Sequence, residues 1–342
     1  MKNKYYIYAP SNCVTGGQEC LHQLCDSLNN KGEDAYIVYF PEQDAKIPDV
    51  YLKYNIKTAQ KVEDTKGNTL VLYEALFDRA FHFKNVTIAL WWLSVDNFFG
   101  CSTHYLSVVD YLKHKPELFV RSLKAKIYYL KDGYNFIKNN TTLEKLQKLE
   151  AINLCQSYYA ENFLQYHRFR NVQNLFDYIN SEFVVKENNA IREDIILYNP
   201  KKGFEFVKML MVKLPQFKWK AIENMTYKEI ANLMGKAKVY IDFGNHPGRD
   251  KIPREAVSAG LCVLTGNRGS AFFKGDIPIN DEFRFDEQKF DLAIFEKVIN
   301  NIFLDYEGEY KKFGDYIDTV AKAKETFNLQ VDELIAYSEK DR

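Results

Sequence analysis

The residues best suited to chemistry gather between 246 and 260, in the stretch HPGRDKIPREAVSAG. Arg249, Lys251 and Arg254 bring three cations close together, Glu255 follows them directly, and the run then turns small and apolar. It comes after the strand-like KVYIDF and reads as a loop entering a helix. At such a helix start the cations and the dipole neutralise a diphosphate, while a carboxylate accepts two hydroxyls of a ribose. Pro253 suits the first helical turn, Glu255 is expected within that turn, and Gly260 ends the helix. His246 is within reach of the same ligand, or is an ordinary loop histidine beside Pro247. A purely structural helix-capping cluster is the rival reading of the whole stretch.

Two other stretches have the same strand-loop-helix character. In APSNCVTGGQECLHQLC (9 to 25), Gly16 and Gly17 lead from a strand into a helix. Adjacent glycines let backbone approach a ligand, and the helix start offers free N–H groups to an anion. The spacing is neither GxGxxG nor GxxxxGK[ST], which speaks against a dinucleotide or ATP loop and leaves a tight turn as the alternative. In YNPKKGFEFVKML (198 to 210), Lys202 and Gly203 open a helix. They suit a phosphate by charge and dipole together, or form only a solvated helix start.

Such loops need a scaffold, and the strand pattern supplies one. Apolar runs at 4 to 9, 35 to 40, 69 to 73, 86 to 93, 126 to 130 and 151 to 155 alternate with helical patterns. Continuous apolar strands of this kind belong to a parallel sheet covered on both faces. After the polar stretch NVQNLFDYINSEFVVKENN the pattern restarts with strands at 193 to 198, 217 to 222, 238 to 243 and 262 to 265. The expected architecture is α/β, two Rossmann-like domains facing across a cleft: residues 1–182, an acceptor-side domain, and 183–320, a nucleotide-binding one. A helix at 321–342 would pack back on the first. In doubly wound sheets ligands bind beyond the carboxyl ends of the strands, where all three glycine and cation stretches fall. The tail from 288 to 339 reads as helical throughout, with Phe303, Tyr306, Tyr310, Phe313 and Tyr316 as a core stripe.

Composition narrows the function classes. A chain of 342 residues suits two domains of roughly 150 to 170 residues. Zero net charge with 27% charged residues provides no global basic field, so nucleic acid is not an expected partner. A hydrophobic fraction of 46% provides ample core. The longest apolar run, VTIALWWL, is far short of the roughly 20 residues that cross a bilayer, and no signal peptide is read at the start, which favours the cytoplasm. Six scattered cysteines with no CxxC pair read as reduced, mostly buried thiols.

Taken together, the glycine pair after the first strand, Lys-Gly opening the second domain, and the helix REAVS followed by AGLCVLTGNRGS resemble the GT-B glycosyltransferases. The likeness is greatest to the family 4-like (glycosyl transferases group 1) bacterial enzymes that build surface polysaccharides, and it covers nearly the whole chain. It implies that Gly16 and Gly17 approach the donor phosphates, that Lys202 binds phosphate, and that Glu255 is the second glutamate of an E-x7-E motif and holds the ribose. Position 247, where the first glutamate would stand, is Pro247, and the arginine usual before Lys-Gly is absent; Arg249 or Lys251 would supply its charge. In LWWLSVDNFFG (90 to 100), Asp96 corresponds to the catalytic region as a base or sugar-hydroxyl acceptor, or only caps the next turn. Trp91 and Trp92 read as core, with stacking on a sugar as the alternative. No DxD motif stands at a strand end, so no metal is implied, and no cofactor beyond a nucleotide-diphosphate sugar as donor substrate.

The implied partners are that nucleotide sugar and a glycan or lipid-linked acceptor. The aromatic and basic segment 98–126 reads either as a solvated helical pair or as a peripheral contact with the inner face of the membrane. Two further readings stay open: a sugar-nucleotide epimerase of the same fold, and a catalytically silent nucleotide- or glycan-binding protein, for which Pro247 is the supporting residue.

Overall fold

The computed structural model describes residues 3–42, 44–100, 141–180, 183 and 191–340. The chain divides into two compact units, one of residues 1–177 with 325–342 and one of residues 178–324. The strand expected at 126 to 130, Cys101 and most of segment 98–126 lie outside the described residues.

The first unit is built on a seven-stranded sheet in the order β3-β2-β1-β4-β5-β6-β7. Its strands are β1 (Lys4–Pro10), β2 (Asp34–Phe40), β3 (Lys57–Thr58), β4 (Thr69–Tyr73), β5 (Thr87–Trp92), β6 (Ile152–Cys155) and β7 (Val172–Asn174). Every pairing is parallel. The reason is visible in β1, where Tyr5, Tyr6, Ile7, Tyr8 and Ala9 are all buried: helices cover both faces, so no polar alternation is needed. Strand order reverses between β1 and β4, which makes their carboxyl ends the switch point of this sheet. The last helix, Ala323–Lys340, joins this unit from Glu325 onward. Its Phe327, Val331 and Leu334 are fully buried, Ser27 Oγ donates to Asn328 Oδ1 at 2.8 Å, and the Phe176 N–H donates to Gln330 Oε1 at 2.8 Å.

The second unit carries a five-stranded parallel sheet in the order β12-β11-β10-β8-β9. Its strands are β8 (Glu193–Tyr198), β9 (Lys218–Ala221), β10 (Ala237–Asp242), β11 (Cys262–Gly266) and β12 (Arg284–Phe285). Here the order reverses between β8 and β10. Val239, Tyr240 and Ile241 at its centre are fully buried, as continuous apolar strands predict. Among the described residues Cys13, Cys20, Cys25, Cys155 and Cys262 are free thiols, in line with the sequence reading.

Some elements differ from expectation. The tail is not one helical stretch: it breaks into Leu292–Leu304, Tyr306–Lys311, Gly314–Ala321 and Ala323–Lys340. Asp305 makes the first break, because its side chain accepts the Gly308 N–H at 3.0 Å and caps a new helix. The aromatic stripe nevertheless packs as read, with Phe313 and Tyr316 fully buried and Phe303, Tyr306 and Tyr310 half-buried against the second core. Part of the polar stretch read as a linker is β7, an edge strand on β6.

Candidate anion-binding site

The second unit's switch point is built by two loops that leave adjacent strands. β8 and β10 run in register, Ile196 beside Val239 and Tyr198 beside Ile241. From β8 the chain turns through Asn199–Lys202, where the Lys202 N–H donates to the Asn199 carbonyl at 3.2 Å, into the helix Phe204–Lys213. From β10 it passes through residues 243–250 into the helix Lys251–Ser258. The loops meet backbone to backbone. A Cβ on Gly203 would stand 2.6 Å from the Phe243 carbonyl oxygen, and one on Gly244 would stand 2.6 Å from Lys202 Cβ. Gly203 also has φ +56°, the left-handed region where glycine alone is free of strain.

This approach sets the Lys202 ammonium on the Asp250 carboxylate, with both side chains about a fifth exposed, at 24% and 19%. Asp250 occupies the N-cap position of the helix Lys251–Ser258, yet its side chain makes no capping bond. It is turned instead to Lys202 and to His246, whose Nδ1 lies 2.8 Å from Asp250 Oδ2. The helix Phe204–Lys213 starts from Gly203 and likewise has no side-chain cap. Two helix N-termini without side-chain caps therefore flank one lysine, an arrangement whose dipoles and charge favour an anion.

Beneath Lys202 lies a buried charge cluster. His246 is fully buried between two acids, with Nε2 3.5 Å from Asp242 Oδ1 and Nδ1 against Asp250. Burial alone would favour the neutral ring, but Asp242 and Asp250 outweigh it and the imidazole pKa is raised. For Asp250 burial favours the protonated acid, and His246 and Lys202 outweigh it, so its pKa is lowered. Asp242 accepts from Tyr240 Oη at 3.0 Å and from the Gly244 N–H at 3.2 Å. The backbone holds His246 in place, its carbonyl accepting from the Ser270 N–H at 2.8 Å. Asp242, His246 and Asp250 offer ligand atoms within 4.8 Å of one another, the spacing of a metal set. The fit is poor, because the two carboxylates address different ring nitrogens and the Lys202 ammonium already sits on Asp250. The cluster is a histidine ring held between two carboxyl groups.

The structure brings Lys202, His246, Arg249 and Arg254 to one locality but assigns them different surroundings. Arg254 is fully buried; its Nε donates to the Asp250 carbonyl at 3.1 Å and its Nη2 to the Arg249 carbonyl at 2.8 Å. It braces the loop and presents no surface to solvent. His246 is likewise fully buried. Arg249 is 6% exposed, Lys251 is half-buried, and Glu255 is 6% exposed. The helix starts at Lys251, two residues before Pro253, so Glu255 lies in its second turn and not its first. The sequence reading passed over Asp242 and Asp250, although the first ends a strand and the second stands in the stretch it singled out.

In the first unit, Gly16 and Gly17 open the helix Gly16–Asn30, with Thr15 Oγ1 capping the Gln18 N–H at 3.3 Å. A Cβ on Gly17 would meet Leu93 Cδ1 at 3.7 Å, an ordinary contact, so the chain itself does not demand glycine there. Asp96 is in the first turn of the short helix Val95–Gly100, 7% exposed, and accepts from Tyr159 Oη at 2.8 Å. Trp91 and Trp92 are fully buried, their indole N–H groups donating to the Leu175 carbonyl and to Asn153 Oδ1, so neither stacks on a ligand. A residue that the sequence reading missed stands at this unit's switch point. Glu74 directly follows β4, is 4% exposed, and has its carboxyl pKa pushed up to about 7 by burial. Its Oε1 accepts from Asn97 at 3.5 Å, and Oε2 has no partner among the described residues.

No protein-family model matches the sequence, and no curated protein matches it. Solved structures do. Sucrose-phosphate synthase from Thermosynechococcus elongatus aligns over 100% of both chains with a TM-score of 0.67 at 11% identity. A glycosyltransferase from Rickettsia africae aligns over 99% of this chain and 98% of its own, with a TM-score of 0.58 at 12% identity. HepE from Anabaena, solved in complex with UDP-glucose, aligns over 98% of this chain and 99% of its own, with a TM-score of 0.59 at 9% identity. At these identities the likeness establishes the fold, which is GT-B, two Rossmann-like domains followed by a helical C-terminal end. This is the architecture expected from the sequence.

Proposed function

We propose that this protein is a glycosyltransferase that moves a sugar from a nucleotide-diphosphate donor to a glycan or lipid-linked glycan, in the synthesis of bacterial surface polysaccharide. The observation that carries the reading is the pair of helix N-termini without side-chain caps at the β8/β10 switch point, with Lys202 between them. A departing nucleoside diphosphate develops negative charge, and a lysine beside two helix N-termini stabilises that charge without a metal. The structural likeness to a protein holding UDP-glucose supports a nucleotide sugar as ligand. In this reading Lys202 and the half-buried Lys251 meet the phosphates, Glu255 accepts ribose hydroxyls, and Gly16 and Gly17 keep the first unit's loop close to the donor. Asp96, or Glu74 beside the same strand ends, orients the acceptor hydroxyl. Segment 98–126 would meet a membrane surface at its cytoplasmic face; among the described residues no helix is long and apolar enough to cross one.

Calorimetric titration of UDP, GDP, CDP and dTDP, without added metal, tests the site. One of the four is expected to bind in the micromolar range, and Lys202→Ala to weaken it about 10- to 100-fold, the worth of a charge-assisted hydrogen bond. Absence of binding to folded wild-type protein would refute the proposal. Pro247, at the place of an otherwise expected glutamate, favours one second reading, a silent binding protein. Its signature is a bound nucleotide sugar that is neither hydrolysed nor transferred.

A further inference from the structure

His246 is fully buried, so whatever it contributes to an anion site is indirect. Its ring is held from both sides, Asp242 against one nitrogen and Asp250 against the other. Asp250 is shared, because the Lys202 ammonium sits on the same Oδ2. The charged groups around the ring are thus Asp242 at the end of β10, Asp250 at the head of the next helix, Lys202 after β8, and Glu287 beyond β12. With the imidazole neutral, Lys202 is the single cation of this set against the carboxyl groups of Asp242, Asp250 and Glu287. An anion that engages Lys202 adds negative charge beside Asp250 and draws the ammonium toward itself. In a buried cluster that charge is poorly screened, so the carboxylate must find its counter-charge in the ring.

We infer that His246 is a positioning residue that takes up a proton from solvent when a diphosphate engages Lys202, keeping Asp250 paired and the helix Lys251–Ser258 in place. The proton adds to the imidazole, and no bond of the ligand forms or breaks in this step. The inference rests on the reading of Lys202 as a diphosphate ligand. Affinity is then linked to pH: binding tightens as pH falls through the range where the free protein's imidazole is still neutral, with at most one proton taken up per site.

The test is calorimetry of the full chain with UDP-glucose, GDP-glucose, CDP-glucose and dTDP-glucose at about pH 8, in HEPES and in Tris. These esters are chosen because both phosphates are already ionised and do not themselves titrate. For the ester that binds, the apparent enthalpy should differ between the buffers in the sense of proton uptake, and His246→Asn should bind with that difference removed. Binding with no uptake, or equal uptake in His246→Asn, overturns the inference while leaving the donor site standing. If His246→Asn does not fold, a wild-type series from pH 7 to 9 decides. Affinity should weaken with rising pH, by up to about tenfold per pH unit, and a flat profile overturns the inference. No binding of any ester to folded wild-type protein removes the donor site and this inference together.

Discussion

Replacing Glu74 by glutamine should change how the first unit responds to pH. The carboxyl is 4% exposed and, raised by burial, binds its proton with a pKa of about 7 instead of the ordinary 4.5. The folded state therefore holds a proton over a range where the unfolded chain has lost it. Stability must fall as pH rises from about 4.5 to about 7, and be flat on either side with respect to this group. Each tenfold in proton activity is worth about 1.4 kcal/mol, so the wild-type protein should lose about 3 kcal/mol across that window. Glu74→Gln keeps the shape and the acceptor oxygen facing Asn97 but cannot ionise, and it should lack this loss. Urea unfolding at pH 5 and pH 8 measures it, followed by tryptophan emission in a Trp219→Phe background so that the buried Trp91 and Trp92 report on the first unit alone. All other titrating groups are common to both proteins and cancel in the difference. Equal pH responses would show that the Glu74 carboxyl ionises in the folded protein at its ordinary pKa, and would refute the reasoning.

Other substitutions bear on the second unit. Gly203→Ala places a methyl 2.6 Å from the Phe243 carbonyl oxygen at a left-handed φ, and should cost about 2 to 4 kcal/mol in thermal or urea unfolding; an unchanged melting temperature would mean that the two loops are not in contact. Arg254→Met keeps bulk but leaves the carbonyls of Asp250 and Arg249 without their buried donor, for a loss of about 2 to 4 kcal/mol by the same measurement. If the Arg254→Met protein proved as stable as wild type, Arg254 would not be bracing the loop.

The long strands were legible because burial on both faces writes itself into sequence as continuous apolar runs, as in KYYIYA and KVYIDF. Strands β3, β7 and β12 were not, since two or three residues at a sheet edge carry no period. Helix positions were legible to within a turn; Pro253 does lie in the first turn, but the helix starts two residues before it, which carries Glu255 into the second. Depth was the harder quantity. Arg254 and Lys251 look alike beside a helix start, and only the packing of Tyr316 and the loop carbonyls around the arginine separates a buried brace from a half-buried cation. Glu74 obeyed the rule that directs attention to strand ends, but its burial and its missing partner are properties of the folded sheet.

The placement of the final helix bears on how the polypeptide acquires its structure during synthesis. Residues 325–342 complete the first unit, filling it with Phe327, Val331 and Leu334, yet the ribosome makes them after the whole of the second. Residues 1–177 emerge lacking a piece of their own interior, and this unit cannot complete its core until the helix Ala323–Lys340 has been made. During that interval the core positions that Phe327, Val331 and Leu334 occupy are empty, while the second unit, contiguous from 178 to 324, can fold ahead of it. A stop codon ahead of the helix Ala323–Lys340 would then injure the unit built from residues 1–177.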